Sequence, residues 1–278
     1  MARTPKTQAL GVALRREREE HGLTTRDLAD RIGRNHGEIS RWETGDRTPK
    51  PEHVAQLLTA LGLIGGDDIM SMAYDTDAPL WVATTLPAQR QQLAALVDAE
   101  QNAAEITEVS PLLIPGLLQT NDYIRAIMSG GGISADETVT RVAIRIGRRD
   151  VIIRPKPALF TAFIGEAAIH QVIGDRSVLI GQLRHLLEMA QRPNVTVRVV
   201  PFDSGWQPAL VGAYTFIQSE NSVPVVHIEL YGSGLFLHEE RDVGRYQAAV
   251  GMVRGLSLSP GASTRLITEA SERMEKSA

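Results

Sequence analysis

Along the first sixty residues, apolar side chains recur every three or four positions, in short runs separated by glycine. Leu10, Ala13 and Leu14 form one such stripe, with Arg15, Arg16, Glu19 and Glu20 lying outside it. Thr4 followed by Pro5 is an N-cap followed by proline at the first helical position, and Gly22 stops the run. A second helix starts at Thr24, with Asp27 three residues on, and turns Leu28, Ala29 and Ile32 inward. Gly33 supplies a turn. Asn35 then caps a third helix over 36–44, where Ile39 and Trp42 share one face, and Gly45 ends it. Pro49 and Pro51 bracket a last helix that carries Val54, Leu57, Leu58 and Leu61 inward and closes at Gly62. Residues 1–65 therefore read as an all-α domain.

The periodicity changes further along. Residues 62–86 mix Gly, Asp and short apolar patches, and 66–88 are expected to be a linker region. The pattern predicts a helix over 89–108, broken by Pro111 and Pro115. Gly116 to Thr120 lead into another helix capped by Thr120 or Asn121; Gly130–Gly132 turn the chain, and a helix over 136–150 follows. Residues 158–164, 195–201, 213–218 and 225–230 are short, rich in β-branched or aromatic residues, and bounded by Pro, Asn or Gly, as strands are. The last two are expected to pair antiparallel across the polar loop 219–224. Helices are expected over 178–191, 240–254 and 260–276. That order predicts, for residues 89–278, an α/β domain with helices packed on a mixed sheet.

Composition narrows the function classes. The chain has 278 residues, 43% hydrophobic and 22% charged, which suits two globular domains. No apolar run reaches the ~20 residues of a membrane span, and the N-terminus lacks the apolar stretch of a signal peptide, so a cytoplasmic protein without membrane contact is expected. With no cysteine, disulfides, thiol nucleophiles and thiolate metal sites are excluded. The net charge of −4 argues against a protein that coats nucleic acid over its whole surface. The charge is uneven, however. Residues 1–60 hold 11 Lys/Arg against 9 Asp/Glu, a net of +2, which leaves −6 for the remainder. Nucleic-acid contact confined to the head fits that split.

Two short helices joined by a glycine turn form a helix-turn-helix, whose second helix enters the major groove. On the second helix, the positions off the core face are His36, Gly37, Glu38, Ser40 and Arg41. Arg41 can offer two parallel hydrogen bonds to guanine. His36 and Ser40 can donate or accept, Gly37 permits close backbone approach, and Glu38 can accept from a cytosine amine. His36, Gly37, Ser40 and Arg41 are the candidate base contacts. Thr25, Arg34, Asn35, Arg47 and Lys50 flank them and suit phosphates, which set register and salt dependence.

The run LTTRDLADRIGRNHGEISRWETGDRTPKPEHVAQLLTALG resembles the XRE (Cro/repressor-like) helix-turn-helix domain, and the likeness covers about residues 8–62. The likeness runs through Leu23, Leu28, Ala29, Ile32, Gly33, Ile39, Ser40, Glu43, Gly45 and Pro49. It implies a five-helix, lambda-repressor-like fold that binds a double-stranded operator, with an interior ion pair between Arg18 and Glu43. Thr25 stands where that family often has Gln, and Glu38 where it usually has Ser or Thr.

The remainder resembles the C-terminal domain of WhiJ-like actinomycete regulators, which follows an XRE domain in the same chain. The likeness rests on PLLIPGLLQTNDYIRAI, FIGEAAIHQVIG, GQLRHLLEMAQRPNVTVRVVPFDSGWQPALVGAYTFI and PVVHIEL. It implies a homodimeric transcription factor whose C-terminal domain takes a regulatory partner, often a small protein encoded next door. In this sequence, Arg148–Arg149 replaces the usual Arg-Gln, and His227 the usual Tyr. Leu117, Leu118, Trp206, His227 and Glu229 are the candidate partner or ligand surface.

Glu166, His170, His227 and Glu229 are the polar residues that invite a catalytic reading. The chain has no His-Glu-x-x-His, no phosphate-binding glycine loop after a strand and no Gly-x-Ser-x-Gly elbow. No enzyme activity, cofactor or metal is therefore expected. The expected function is a sequence-specific regulator, acting as a repressor. The rival is an antitoxin-like module that sequesters a small protein and controls its own operon.

Overall fold

The computed structural model describes residues 4–63, 67–74, 80–82, 86–220, 223–230 and 233–276. The chain opens with α1 (Pro5–Glu20), α2 (Thr25–Arg31), α3 (His36–Glu43), α4 (Pro51–Ala60) and α5 (Asp67–Ala73), followed by β1 (Leu80–Val82) and α6 (Leu86–Gln101). Next come β2 (Ala103–Ser110), α7 (Asn121–Gly130), α8 (Ala135–Arg148), α9 (Asp150–Ile153), β3 (Leu159–Gly165), α10 (Glu166–His170), α11 (Arg176–Met189) and β4 (Val195–Val200). It closes with β5 (Tyr214–Ser219), β6 (Val225–Leu230), β7 (Ser233–Leu237), α12 (Glu240–Leu256) and α13 (Pro260–Lys276). Contacts group the chain into two compact units, Met1–Asn102 with Gln218–Val243, and Ala103–Ile217 with Gly244–Ala278.

In the first unit the expected head helices are present, and α1, α2 and α3 are each opened by a side-chain cap. Thr4 Oγ1 accepts the Thr7 N–H, Thr24 and Asp27 form a reciprocal capping box, and Asn35 Oδ1 accepts the Gly37 N–H. Leu10, Leu14, Leu28, Ile39, Trp42, Val54, Leu57 and Leu58 are buried together as their core. Helix α1 packs on α3, α5 and α6, so contact grouping places α6, expected with the body, alongside the head. The expected linker 66–88 contains α5 and β1, the latter paired antiparallel with β7; residues 66, 75–79 and 83–85 lie outside the described residues. Strand β6 continues the order β1-β7-β6, also antiparallel. The Gln92 amide of α6 donates to the Gly234 carbonyl of β7 at 3.1 Å.

The second unit carries strands in the order β5-β2-β3-β4, with β2–β3 and β3–β4 parallel. Strand β3 reads as a nearly continuous apolar run, because a parallel strand is covered on both faces. Phe160, Ala162, Phe163 and Ile164 are all buried. Strand β2 corrects the expected helix over 89–108: the helix stops at Gln101, and Ala103–Ser110 extends as a strand. Ala-rich composition favoured helix locally, but Ile106, Thr107 and Val109 sit between two strands that satisfy their backbone, and tertiary pairing overrides propensity. On β4, the Val199 N–H donates to Ser263 Oγ at 2.8 Å, and its carbonyl accepts from Leu258 N at 2.8 Å. Leu258, between α12 and α13, and Ser263, in the first turn of α13, therefore take up edge groups of that strand.

Two glycines are required by close approach. A Cβ on Gly11 would meet the Trp42 carbonyl oxygen at 2.5 Å, and one on Gly165 the Pro111 carbonyl oxygen at 2.2 Å. Gly165→Ala should therefore lower stability by about 2 kcal/mol or more through overpacking. Gly116→Ala, with open space around its Cβ, should leave the unfolding transition nearly unchanged. Thermal unfolding of the two variants provides the comparison.

Candidate nucleic-acid interface

Helix α3 follows α2 after Gly33, which takes a positive φ of 66° that only glycine adopts without strain. Its buried face carries Ile39 and Trp42, leaving His36, Ser40 and Arg41 exposed. The side chains of these three make no hydrogen bond or ion pair among the described residues. Gly37, half-buried, spends its N–H on the Asn35 cap. A Cβ there would press on Asn35 Oδ1 at 3.1 Å.

The helix is anchored at its other end. Glu43, its last residue, is 4% exposed and Arg18 is 8% exposed. Their contact is bidentate, Nε to Oε1 and Nη2 to Oε2, both at 2.7 Å. Arg18 Nη1 donates to the Leu23 carbonyl at 2.7 Å, and Arg15 Nε lies 3.7 Å from Glu43 Oε2. The Glu43 hydrogen bond raises the Arg18 pKa further. A carboxylate at a helix C-terminus opposes the helix dipole, so these cations compensate charge that the fold has buried. The Arg18–Glu43 pair thus ties α1 to α3 beside the Gly11 close approach.

The flanking residues fall into three groups. Lys50 is exposed and lies 3.8 Å from Glu52. Asn35 is exposed as the α3 cap, and Thr25 is half-buried at the first position of α2. Arg34 and Arg47 both reach Glu38: Arg34 Nη1 is 3.3 Å from Oε2 and Arg47 Nη1 is 3.4 Å from Oε1. The Arg34 guanidinium also lies over the Trp42 ring at 5.5 Å, and His53 stacks on Trp42 at 5.1 Å. This Arg34–Trp42–His53 cluster was not anticipated from sequence. The four-residue step from Arg34 to Glu38 was legible, whereas the approaches of Arg47 and His53 depend on the turn after α3.

The second unit corrects part of the candidate surface. Leu117 is 1% and Leu118 0% exposed, so they are core rather than surface. A polar network holds the single 3-10 turn, Gly116–Leu118, that carries them. Gln182 accepts from Thr120 N at 2.7 Å and donates to the Leu118 carbonyl at 2.8 Å; Gln119 Nε2 donates to the Ile114 carbonyl at 2.7 Å. Arg145 donates to Gln119 Oε1, Arg149 to the Gln119 carbonyl, and Gly116 N to Glu108 Oε1. These bonds satisfy the Leu118 and Gln119 carbonyls, so the buried apolar side chains lie beside backbone groups that have partners. His227, in the first unit, is likewise buried, with its ring 4.8 Å from Phe236. Glu229 is exposed, as is Trp206 at 73%. Phe202, Leu210 and Val211 are exposed beside Trp206 in sequence. Glu166 accepts the Phe202 N–H at 2.9 Å and lies 3.7 Å from His170, which is an anchoring role at the end of β3. Among the described residues, no group of three His, Cys, Asp or Glu side chains is arranged to hold a metal ion.

A short helix-turn-helix clamped to a supporting helix, with one polar face open, is the arrangement of a DNA-binding regulator. Residues 9–69 match the model of a helix-turn-helix domain. Residues 93–269, more than half the chain, match the domain of unknown function DUF5753, and the chain belongs to that family. No curated protein matches the chain. Among the described residues, no helix is long and apolar enough to cross a membrane.

Two outcomes test this geometry. Glu43→Ala strands a buried guanidinium and should cost about 3–5 kcal/mol in chemical unfolding. Replacing both partners by leucine and methionine should cost much less. Burial, with the nearby Arg34 charge, holds the His53 pKa below its usual 6.5. The unfolded chain therefore takes that proton first, and stability present above pH 6.5 should fall as the pH drops through it. His53→Gln should flatten that part of the profile of denaturation midpoint against pH.

Proposed function

We propose that the protein is a sequence-specific transcriptional regulator of the XRE type with a WhiJ-like C-terminal half. The head reads a double-stranded operator in the cytoplasm, and operator occupancy represses transcription. The observation that carries this reading is the exposed row His36, Ser40 and Arg41 on a helix held rigidly by Arg18 and Glu43. Its matching to a helix-turn-helix model adds independent support.

One head offers few base contacts. Joining two raises the effective concentration of the second and lets the pair read half-sites about one helical turn apart. The DUF5753 half is assigned the homodimer contact and the reception of a protein or small-molecule signal. The exposed Phe202, Trp206, Leu210 and Val211 support contact with a protein, such as a small one from an adjacent gene. Such a signal changes operator occupancy only if it favours one arrangement of the heads over another. No catalytic step, cofactor or metal forms part of this function.

Selection of bound duplexes from a random pool by the full chain tests the reading, and palindromic sites are the expected result for a dimer. Arg41→Ala should cost about 1–3 kcal/mol on the selected site and relax base choice at one position. Lys50→Ala should weaken binding to every sequence and lower the salt slope by about one. Equal losses on selected and random DNA for Arg41→Ala would remove its assigned role.

A further inference from the structure

Glu38 stands on the reading helix, where a carboxylate would face DNA phosphates, yet it is not isolated. Its two oxygens engage two guanidiniums from opposite ends of α3: Arg34 from the preceding turn at 3.3 Å and Arg47 from the following loop at 3.4 Å. The Glu38 side chain is 18% exposed, against 60% for Arg47. Arg34 is further held over Trp42, whose ring also stacks on His53. Both arginines occupy positions that flank the exposed row His36, Ser40 and Arg41.

We propose that Glu38 is a specificity-determining residue, which holds Arg34 and Arg47 in place and suppresses their binding to phosphates on DNA of arbitrary sequence. This rests on the DNA-reading function above. Non-specific affinity comes from phosphate neutralisation and counterion release. A shared carboxylate offsets one of the two positive charges, so random DNA gains less from these arginines. At a site presenting a cytosine N4 amine to the major groove, the carboxylate can accept from that base. The loss is then compensated, and the gap between operator and random sequence widens.

The test measures binding of the full chain, and of Glu38→Gln, to a selected duplex and to random duplex over a range of salt concentrations. Removing one negative charge should steepen the salt slope on random DNA by about 0.9 and tighten that binding about five-fold near 0.15 M salt. The ratio of selected to random affinity should fall at least as much. In an Arg34→Gln/Arg47→Gln background, Glu38→Gln should lose this effect. Glu38→Ser carries the same comparison if the glutamine variant is unstable by thermal unfolding. An unchanged slope on random DNA, or an equal gain in the arginine-free background, overturns the role of Glu38 alone. Failure of the unsubstituted chain to bind any duplex overturns the DNA-reading function and this role together.

Discussion

The carboxylate of Glu43 is the constraint on which the head depends. It sits at the last position of the reading helix, where the helix dipole disfavours it, and it is buried. Only a cation delivered to the same place makes that tolerable, and Arg18 delivers it through two parallel 2.7 Å hydrogen bonds while also holding the Leu23 carbonyl. The pair therefore fixes α3 against α1 and the entry to α2 against both. Gly11 lets the two helices come close enough for that contact, because any side chain there would strike the Trp42 and Glu43 carbonyls. With the inner face so fixed, His36, Ser40 and Arg41 are presented in one orientation.

A different solution holds the second unit. Where β2 ends, the chain runs through Pro111 and Pro115 with no regular ladder to satisfy its backbone. Side chains from elsewhere in the unit supply the partners: Gln182 from α11, Arg145 at the end of α8 and Arg149 just beyond it. Buried polar networks of this kind are stable only when their groups are paired, which explains why so many glutamine and arginine side chains converge on one short segment. Arg149 bears a cost for its part, since burial lowers its pKa. Leu117 and Leu118 are buried beside this network, which pairs the Leu118 and Gln119 carbonyls while leaving Arg149 Nε without a partner among the described residues.

Much of the architecture was legible from periodicity. The four head helices between Pro5 and Ala60, their caps at Thr4, Thr24 and Asn35, and strands β3 to β6 all carried local signals. Strand β2 and strand β7 did not. The first lies directly after an alanine-rich helix, and its extended state comes from pairing with distant strands. The second is a short glycine-containing run whose pairing with β1 joins residues more than 150 positions apart in the chain. Leu117, Leu118 and His227 were misjudged as surface for a related reason: exposure is a property of what packs on a residue, and sequence proximity to loops does not report it.

The amino-acid sequence by itself determined the residue types on the reading face, the split of charge between a basic head and an acidic remainder, and the absence of thiol chemistry. These follow from composition and from spacings of three and four along a helix. Only the tertiary structure decided what those residues touch. It seated Arg47 and Arg34 on the two oxygens of Glu38, stacked His53 on Trp42, buried Leu117 and left Trp206 in solvent. The reason is physical: hydrogen bonds and ion pairs act over about 3 Å, and contacts between residues far apart in the chain exist only once the helices and strands between them have packed.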